Sequence, residues 1–196
     1  MNTPIIKAKR LILRKFDEAD LNDAFEIFKD EEVNKYLPWF KVNDLKETKW
    51  FLEKHYFSKY KDELGFNYAI ALKENNKVIG YININLDEEV NDVGYGLNKK
   101  YWNNGYIHEA LIAIIDLAKN SNLRYLTATH DIHNFRSGNV LKKANFVYKY
   151  SYNEMREPKH FLVTFRMYQL NLNIDSDYIY RKYWNKYEDH FIEKDV

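Results

Sequence analysis

The chain has 196 residues, of which 45% are hydrophobic and only three are proline, so it is long enough for one domain with a sizeable core and is not disordered. Its 30 basic and 29 acidic side chains give a net charge of +1, which excludes an overall field that attracts nucleic acid or an anionic membrane. The lack of cysteine excludes thiol chemistry and disulfides, and without an apolar run of about 20 residues or a signal-peptide core we expect a soluble, cytoplasmic protein.

The first ninety residues alternate between strand and helix patterns. Lys9–Phe16 alternates apolar and polar side chains and predicts a strand. Asp17 and Asp44 are each placed to cap a following helix, the second of which extends to about Tyr60. Two further strands, joined by a hairpin turn, are predicted over Phe66–Leu72 and Lys77–Leu86.

A strand, a polar turn and a helix follow one another in the middle of the chain. Val93–Leu97 alternates as a strand, Asn98–Gly105 is polar, and a helical apolar stripe begins after Tyr106. The first N–H groups of such a helix have no partner within it and lie at the positive end of the helix dipole. This arrangement suits a phosphate, although the absence of Lys and Ser/Thr after Gly105 argues against a nucleotide P-loop.

The second half of the chain continues the alternation of strands and helices. The pattern predicts a strand over Leu123–Thr129, a short helix capped by Asn134, and strands over Phe146–Tyr152 and Phe161–Leu172. Asn145 ends the short helix at a position where Asn tolerates the left-handed conformation. Since a crossover helix joins the strands at Val93 and Leu123, we expect those two strands to be parallel neighbours in an otherwise antiparallel sheet.

Four separated segments resemble the GNAT acyltransferase superfamily, and within it the ribosomal-protein N-acetyltransferase branch, which modifies protein N-termini and other amines. In chain order they are Arg10–Arg14, Val33–Trp39, Gly94–Ala110 and Asn134–Phe146. The resemblance implies an α/β (α+β) GNAT fold, with a mixed, mostly antiparallel sheet that splays between two adjacent parallel strands and is flanked by helices. It assigns residues 1–172 to the acetyltransferase domain and leaves 173–196 as a charged, aromatic extension, expected to be helical.

The resemblance also implies the reaction and the cofactor. A neutral amine attacks the thioester of acetyl-CoA directly while backbone N–H groups polarise its carbonyl, and no metal takes part. Carried over position by position, the cofactor-binding residues are Leu97, Asn98, Asn103, Asn104, Gly105, Tyr106, Ile107, Asn134 and Ser137. The diphosphate is expected on the turn from Asn104 to Ile107.

Two residues are candidates for catalysis. Ser137 resembles the serine that faces the leaving thiolate in related enzymes, and Asp92 is the acid nearest the cofactor strand and a candidate base. The alternatives are that Ser137 only occupies the first turn of a capped helix and that Asp92 is a solvated strand-end carboxylate. The histidines near the two motifs, His108, His130 and His133, show no metal-ligand spacing and are expected to be exposed.

Some positions depart from the family pattern. Trp102 stands where many members have Arg or Gln, Ile107 where they have Gly or Ala, and Asn145 where they have Gly. Asn103 also replaces a Gly, but Asn can adopt a positive φ. These departures keep open an alternative function, a non-catalytic acyl-CoA-binding or interaction protein with the same fold.

The acceptor is less well defined than the cofactor. Pro38 interrupts any helix and places Tyr36, Trp39 and Phe40 on a loop that resembles one bordering the acceptor cleft, with core packing as the alternative. The acceptor amine belongs either to a protein N-terminus or to a small molecule such as a polyamine or an aminoglycoside. We expect a monomer or a homodimer, with the extension either docked on the sheet or pairing two subunits.

Overall fold

The computed structural model describes residues 1–196, apart from the side chain of residue 88. The chain divides into two compact units, the first formed by residues 1–84 and 94–114 and the second by residues 85–93 and 115–196. No helix in the described part is long and apolar enough to cross a membrane.

The first unit contains an antiparallel sheet and two helices. Its strands are β1 (Ile6–Lys7), β2 (Leu11–Arg14), β3 (Phe66–Leu72) and β4 (Val78–Asn85). They pair in chain order, with Leu11 opposite Leu72 between the second and third strands. The helices are α1 (Leu21–Phe28) and α2 (Leu45–Leu52), and α2 continues through a π-helical turn and a 3-10 turn to Lys61. The predicted strands and helices of this half are confirmed.

Both predicted caps of the first unit are present. The side chain of Asp17 accepts a hydrogen bond from the Ala19 N–H and opens a 3-10 turn that leads into α1. Asp44 accepts from the Glu47 N–H at 2.8 Å and begins α2. Each carboxylate satisfies an amide that the first helical turn leaves without a backbone partner.

The second unit is built on antiparallel strands and one parallel pair. β5 (Asp92–Leu97) begins in it, and β6 (Tyr125–Asp131), β7 (Val147–Arg156) and β8 (Phe161–Asn171) follow. The strand order is β5-β6-β8-β7, and β5 and β6 are parallel, with Asp92 opposite Thr127. The expected parallel pair is therefore confirmed. The helices are α3 (Tyr106–Lys119), which begins in the first unit, and α4 (Phe135–Lys143).

The C-terminal extension forms less helix than expected. Its helix, α5, covers only Lys182–Lys186, and a strand, β9 (His190–Phe191), then pairs antiparallel with β7 at Ser151 and Tyr152. Tyr183 and Tyr187 stack on Tyr152 with ring centroids 5.0 and 4.8 Å apart. The extension is therefore an integral part of the second unit, because it covers one face of the β7–β8 hairpin and one edge of the sheet.

Candidate active site

The turn between β5 and α3 has the geometry that the sequence predicts for a phosphate site. Asn103 and Gly105 have positive φ angles of 61° and 74°, and Asn103, Asn104 and Gly105 are exposed. The Glu109 N–H donates to the Gly105 carbonyl at 3.0 Å, the first backbone hydrogen bond of α3. The N–H groups of Tyr106 and Ile107 come before it and therefore have no acceptor within the helix. The expected positive φ of Asn103 is confirmed.

Trp102, which departs from the family pattern, holds the turn against the end of its strand. Its indole N–H donates to the Leu97 carbonyl at 2.8 Å. Asn98 accepts from the Lys100 N–H, and Asn104 donates to the Trp102 carbonyl at 2.9 Å. The side chains of Asn98 and Asn104 therefore shape the turn, and a cofactor contact from either stays a prediction.

Arg10, at the start of β2, contacts the same turn. Its Nη1 donates to the Asn104 carbonyl at 2.9 Å, and its guanidinium lies 4.3 Å from the centre of the Tyr106 ring. Its Nε and backbone N–H donate to the two carboxylate oxygens of Glu109, at 2.7 and 2.6 Å. The pairing of Arg10 with Glu109 was not predicted from the sequence.

Two cavities lie in the first unit. The smaller, of about 370 Å³, is next to the helix start, and its wall includes Lys9, Arg10, Lys73, Glu74 and Tyr106. The larger, of about 860 Å³, is lined by Asn98 but by none of residues 103–107, and its acidic and basic side chains are equal in number: Glu26, Asp30, Glu31, Glu32, Lys29, Lys41, Lys99 and Lys100.

The predicted acceptor loop is ordered by Asn34. The Asn34 side chain donates to the carbonyls of Ile27 and Phe28 near the end of α1, and its Oδ1 accepts from the Trp39 indole at 3.2 Å. Trp39 also packs edge-on against Phe51, which is the kind of contact expected if this residue serves core packing, the alternative to acceptor binding. Phe40 is exposed and Tyr36 half-buried, and the role of these three aromatic residues in acceptor binding stays a prediction.

In the second unit, Asn134 begins α4 and Ser137 lies in its first turn. The Asn134 side chain accepts from the Ser137 N–H at 3.3 Å, which confirms the predicted cap. Ser137 is half-buried, and the next residue, Gly138, lies so close to His130 that an added Cβ would be 2.8 Å from the imidazole Nε2. The absence of a side chain at Gly138 therefore lets α4 approach β6 closely.

Asp92 starts β5 beside β6 and is half-buried. The Thr127 hydroxyl donates to its carboxylate at 3.1 Å. Burial raises the pKa of Asp92 to about 7, and the Glu154 charge adds to this, whereas Thr127 and the Arg156 charge oppose it. Asp92 therefore differs from the solvated strand-end carboxylate of the alternative reading.

Of the three histidines expected to be exposed, only His133 is; His108 is half-buried and His130 is buried. His130 is 4% exposed, and its Nδ1 donates to the Asp131 carbonyl at 2.8 Å, so in the neutral ring Nε2 carries no proton. Burial lowers the pKa of His130. The alternation of β6 places Leu126, Ala128 and His130 on one face, so the burial could have been inferred from the pattern. Among the described residues, no group of three His, Asp or Glu side chains could hold a metal ion.

Comparisons with known proteins agree on the family. The sequence model of the acetyltransferase (GNAT) domain matches residues 10–147, more than half of the chain. An uncharacterized N-acetyltransferase, YnaD of Bacillus subtilis (strain 168), is 30% identical over 141 residues, which cover 70% of this chain and 79% of YnaD.

Solved structures show the same fold. A GNAT-family acetyltransferase from Bacillus anthracis superimposes with a TM-score of 0.75 and 26% identity, covering 87% of this chain and all of the other. The ribosomal L7/L12 α-N-protein acetyltransferase RimL, in complex with coenzyme A, superimposes with a TM-score of 0.73 and 18% identity, covering 88% and 100% of the two chains. The residues of the turn fit such a cofactor, because Asn103, Asn104 and Gly105 are exposed and a Cβ on Gly105 would meet Arg10 Nη2 only at ordinary contact distance, 3.6 Å.

Proposed function

This chain belongs to the GNAT acetyltransferase family and uses acetyl-CoA as its acyl donor, and we propose that its acceptor is the α-amino group of a peptide or protein, deprotonated by Asp92. The observation that carries the proposal is the half-buried carboxyl of Asp92, hydrogen-bonded to Thr127 and with a pKa of about 7. A group with that pKa is half ionised at neutral pH and can accept a proton there.

The pKa of Asp92 favours an α-amine over an alkyl amine. An α-ammonium group has a pKa of about 7.7–8.0, whereas a lysine-like ammonium has a pKa of about 10.4. Transfer of the proton from an α-ammonium group to Asp92 is therefore uphill by about 1 pKa unit, or about 1.4 kcal/mol. Transfer from a lysine-like ammonium group is uphill by about 3.4 pKa units, or about 4.6 kcal/mol. A polyamine would need a further base that an N-terminal amine does not.

The charges beside Asp92 suit an incoming ammonium group. Arg156 and Glu154 form an ion pair at 3.0 Å, so the ionised carboxylate of Asp92 gives the three groups a net charge of −1. This charge attracts a protonated amine, and it falls to zero once Asp92 has accepted the proton. The neutral amine is then left beside an uncharged acid.

The other candidate residues take separate roles. Acetyl-CoA supplies a thioester carbonyl that the neutral amine attacks, with the thiolate of coenzyme A as the leaving group. The Ser137 hydroxyl donates a hydrogen bond toward that thiolate, and Asn134 fixes Ser137 by capping α4. The amides that begin α3, together with Asn103, Asn104 and Gly105, hold the diphosphate.

The test is the pH dependence of kcat/KM for a peptide with a free N-terminus, followed by release of coenzyme A thiol. In the wild type we expect the rate to rise through pH 7 as Asp92 loses its proton. Asp92→Asn should lower kcat/KM by about 10²–10⁴, the usual contribution of a general base, and remove that rise. Asp195→Asn, at an exposed position, is the matched control.

Two results would overturn the assignment. An Asp92→Asn enzyme with an unchanged pH profile would show that another group takes the proton. A wild-type enzyme that acetylates spermidine or an aminoglycoside faster than any N-terminal peptide would show that the acceptor is a small-molecule amine.

A further inference from the structure

Arg10 lies 94 residues before the phosphate-binding turn in sequence but contacts it at several points. Its Nη1 donates to the Asn104 carbonyl, and its Nη2 is 3.6 Å from the position that a Cβ on Gly105 would occupy. Its guanidinium covers the Tyr106 ring. The side chain of Arg10, the residue just before β2, therefore contacts Asn104 and Tyr106, on either side of Gly105, where the chain leaves the turn and enters α3.

The same side chain pairs with an acid near the start of α3. Burial raises the pKa of Glu109, but the hydrogen bonds from the Arg10 backbone and side chain lower it by more than burial raises it. The pKa of Glu109 therefore lies below its ordinary value. Glu109 is thus ionised at neutral pH, and its side chain is only 16% exposed. An unpaired carboxylate there would repel a diphosphate bound at the helix start.

We propose that Arg10 is the positioning residue of the phosphate-binding turn: it fixes the Asn104 carbonyl and cancels the charge of Glu109, so that the turn receives the diphosphate of coenzyme A. The proposal rests on the proposed placement of that diphosphate. Arg10 acts through Asn104 and Glu109, and its contribution is to the affinity for coenzyme A.

The contact requires the shape of arginine as well as its charge. Nε binds one carboxylate oxygen of Glu109 while Nη1 of the same planar fork reaches the Asn104 carbonyl. A lysine ammonium is a single point charge and cannot span both acceptors in this geometry. The neighbouring Lys9 is also exposed and lines the same cavity, so it provides a cation of equal charge without the Arg10 contacts to Glu109 and Asn104.

The experiment measures the Kd of coenzyme A by titration calorimetry, which does not depend on turnover. We expect Arg10→Gln to weaken binding by at least tenfold, because a hydrogen-bonded charge pair beside the ligand is lost. Arg10→Lys should recover only part of the loss. Lys9→Gln, which removes the same charge, should change Kd by less than threefold. Circular dichroism and a melting curve establish that each variant is folded.

A double variant tests the role of Glu109. If Arg10 cancels the charge of Glu109, then Arg10→Gln combined with Glu109→Gln should bind coenzyme A more tightly than Arg10→Gln alone. A double variant as weak as or weaker than the single one would overturn the charge role. Equal Kd values for Arg10→Gln and Lys9→Gln, or wild-type affinity in Arg10→Lys, would overturn the positioning role.

A separate pair of variants tests the placement of the diphosphate itself. Asn103 and Asn122 are both exposed and both have φ near 60°, so replacing either with Asp adds one negative charge at little conformational cost. Asn103→Asp should weaken coenzyme A binding by roughly fivefold to tenfold, because the added negative charge would repel a diphosphate held on this turn, and Asn122→Asp should not. If neither has an effect, the diphosphate binds elsewhere. If Asn103→Asp weakens binding and Asn122→Asp does not, the placement of the diphosphate is supported. If in that case Arg10→Gln and Lys9→Gln have equal Kd values, the proposed role of Arg10 is wrong.

Discussion

Asp92 and His130 lie on neighbouring strands of the second unit, and burial moves their pKa values in opposite directions. The folded state binds a proton on Asp92 more readily than the unfolded chain does, because the pKa is raised from 3.8 to about 7. It binds a proton on His130 less readily, because that pKa is lowered from 6.5. Ionisation of Asp92 therefore lowers the stability as the pH rises, and protonation of His130 lowers it as the pH falls.

The contribution of Asp92 can be isolated by substitution. Below about pH 4 the Asp92 carboxyl is protonated in both the folded and the unfolded state. Between about pH 4 and 7 it is ionised in the unfolded chain but still protonated in the folded one. The stability that protonated Asp92 contributes is therefore lost as the pH rises through that window. Asp92→Asn removes this loss. We expect the free energy of unfolding of the variant, relative to wild type, to increase from pH 4 to 7, with a limiting slope of about 1.4 kcal/mol per pH unit, and then to level off.

Urea unfolding at several pH values measures this difference. Asp195→Asn is the control, since its side chain is exposed. A flat difference between Asp92→Asn and wild type across pH 4–7 would mean that the carboxyl has the same proton affinity in both states. That result would also remove the main support for Asp92 as a base.

At the scale of elements, the C-terminal extension is held by one charged contact near its end. The Glu193 carboxylate accepts from Arg166 Nε at 2.9 Å and from Arg166 Nη2 and the Ser151 hydroxyl at 2.5 Å. The Glu193 backbone N–H donates to the Tyr148 hydroxyl at 3.0 Å. Arg166 and Glu193 are 17% and 19% exposed, so water screens the pair only partly.

Removal of this contact should release the strand that precedes it. We expect Glu193→Ala to destabilise the fold by about 1–3 kcal/mol, because Arg166 loses its partner at a partly buried position. For a chain of this length, that loss lowers the Tm by roughly 2–12 °C. Limited trypsin digestion followed by intact mass should show faster cleavage within the extension. Glu188→Ala, at an exposed position of the same segment, should behave as wild type. Equal cleavage of both variants would mean that aromatic stacking alone holds the extension.

Elements set by local interactions could be predicted from the sequence. The caps at Asp17, Asp44 and Asn134 depend on residues within three positions of the helix start. Asn145 has a φ of 64°, as expected where a helix ends in the left-handed conformation. These features need no knowledge of the tertiary structure.

Features set by distant partners could not be predicted in this way. Arg10 and Glu109 are 99 residues apart, and nothing in the spacing of either points to the other. The strand at His190–Phe191 is only two residues long, and it pairs with β7 beside the Glu193 contact and the stacked tyrosines, whose partners lie far away in the sequence. Several of the 17 tyrosines form the layer between the extension and the sheet, which the composition alone does not indicate.

At the scale of the whole molecule, the donor should stabilise the native state. Acetyl-CoA at a hundred times its Kd adds about 2.7 kcal/mol if it binds only the folded chain, which corresponds to a rise in Tm of roughly 5–10 °C. Thermal unfolding with and without the donor measures the shift. No shift at millimolar acetyl-CoA would mean that Ile107 and its neighbours close the turn, in contradiction to the fit described above.

Trp102 gives the turn a property that the chemistry does not use. Its indole is half-buried and donates a hydrogen bond to the Leu97 carbonyl, next to the residues proposed to hold the diphosphate. Indole emission depends on local polarity and on the bond from the ring N–H, whereas the other three tryptophans, Trp39, Trp50 and Trp184, lie outside this turn. The protein therefore carries an intrinsic fluorophore beside its proposed donor site, and we expect the occupancy of that site to be measurable by intrinsic fluorescence without any label.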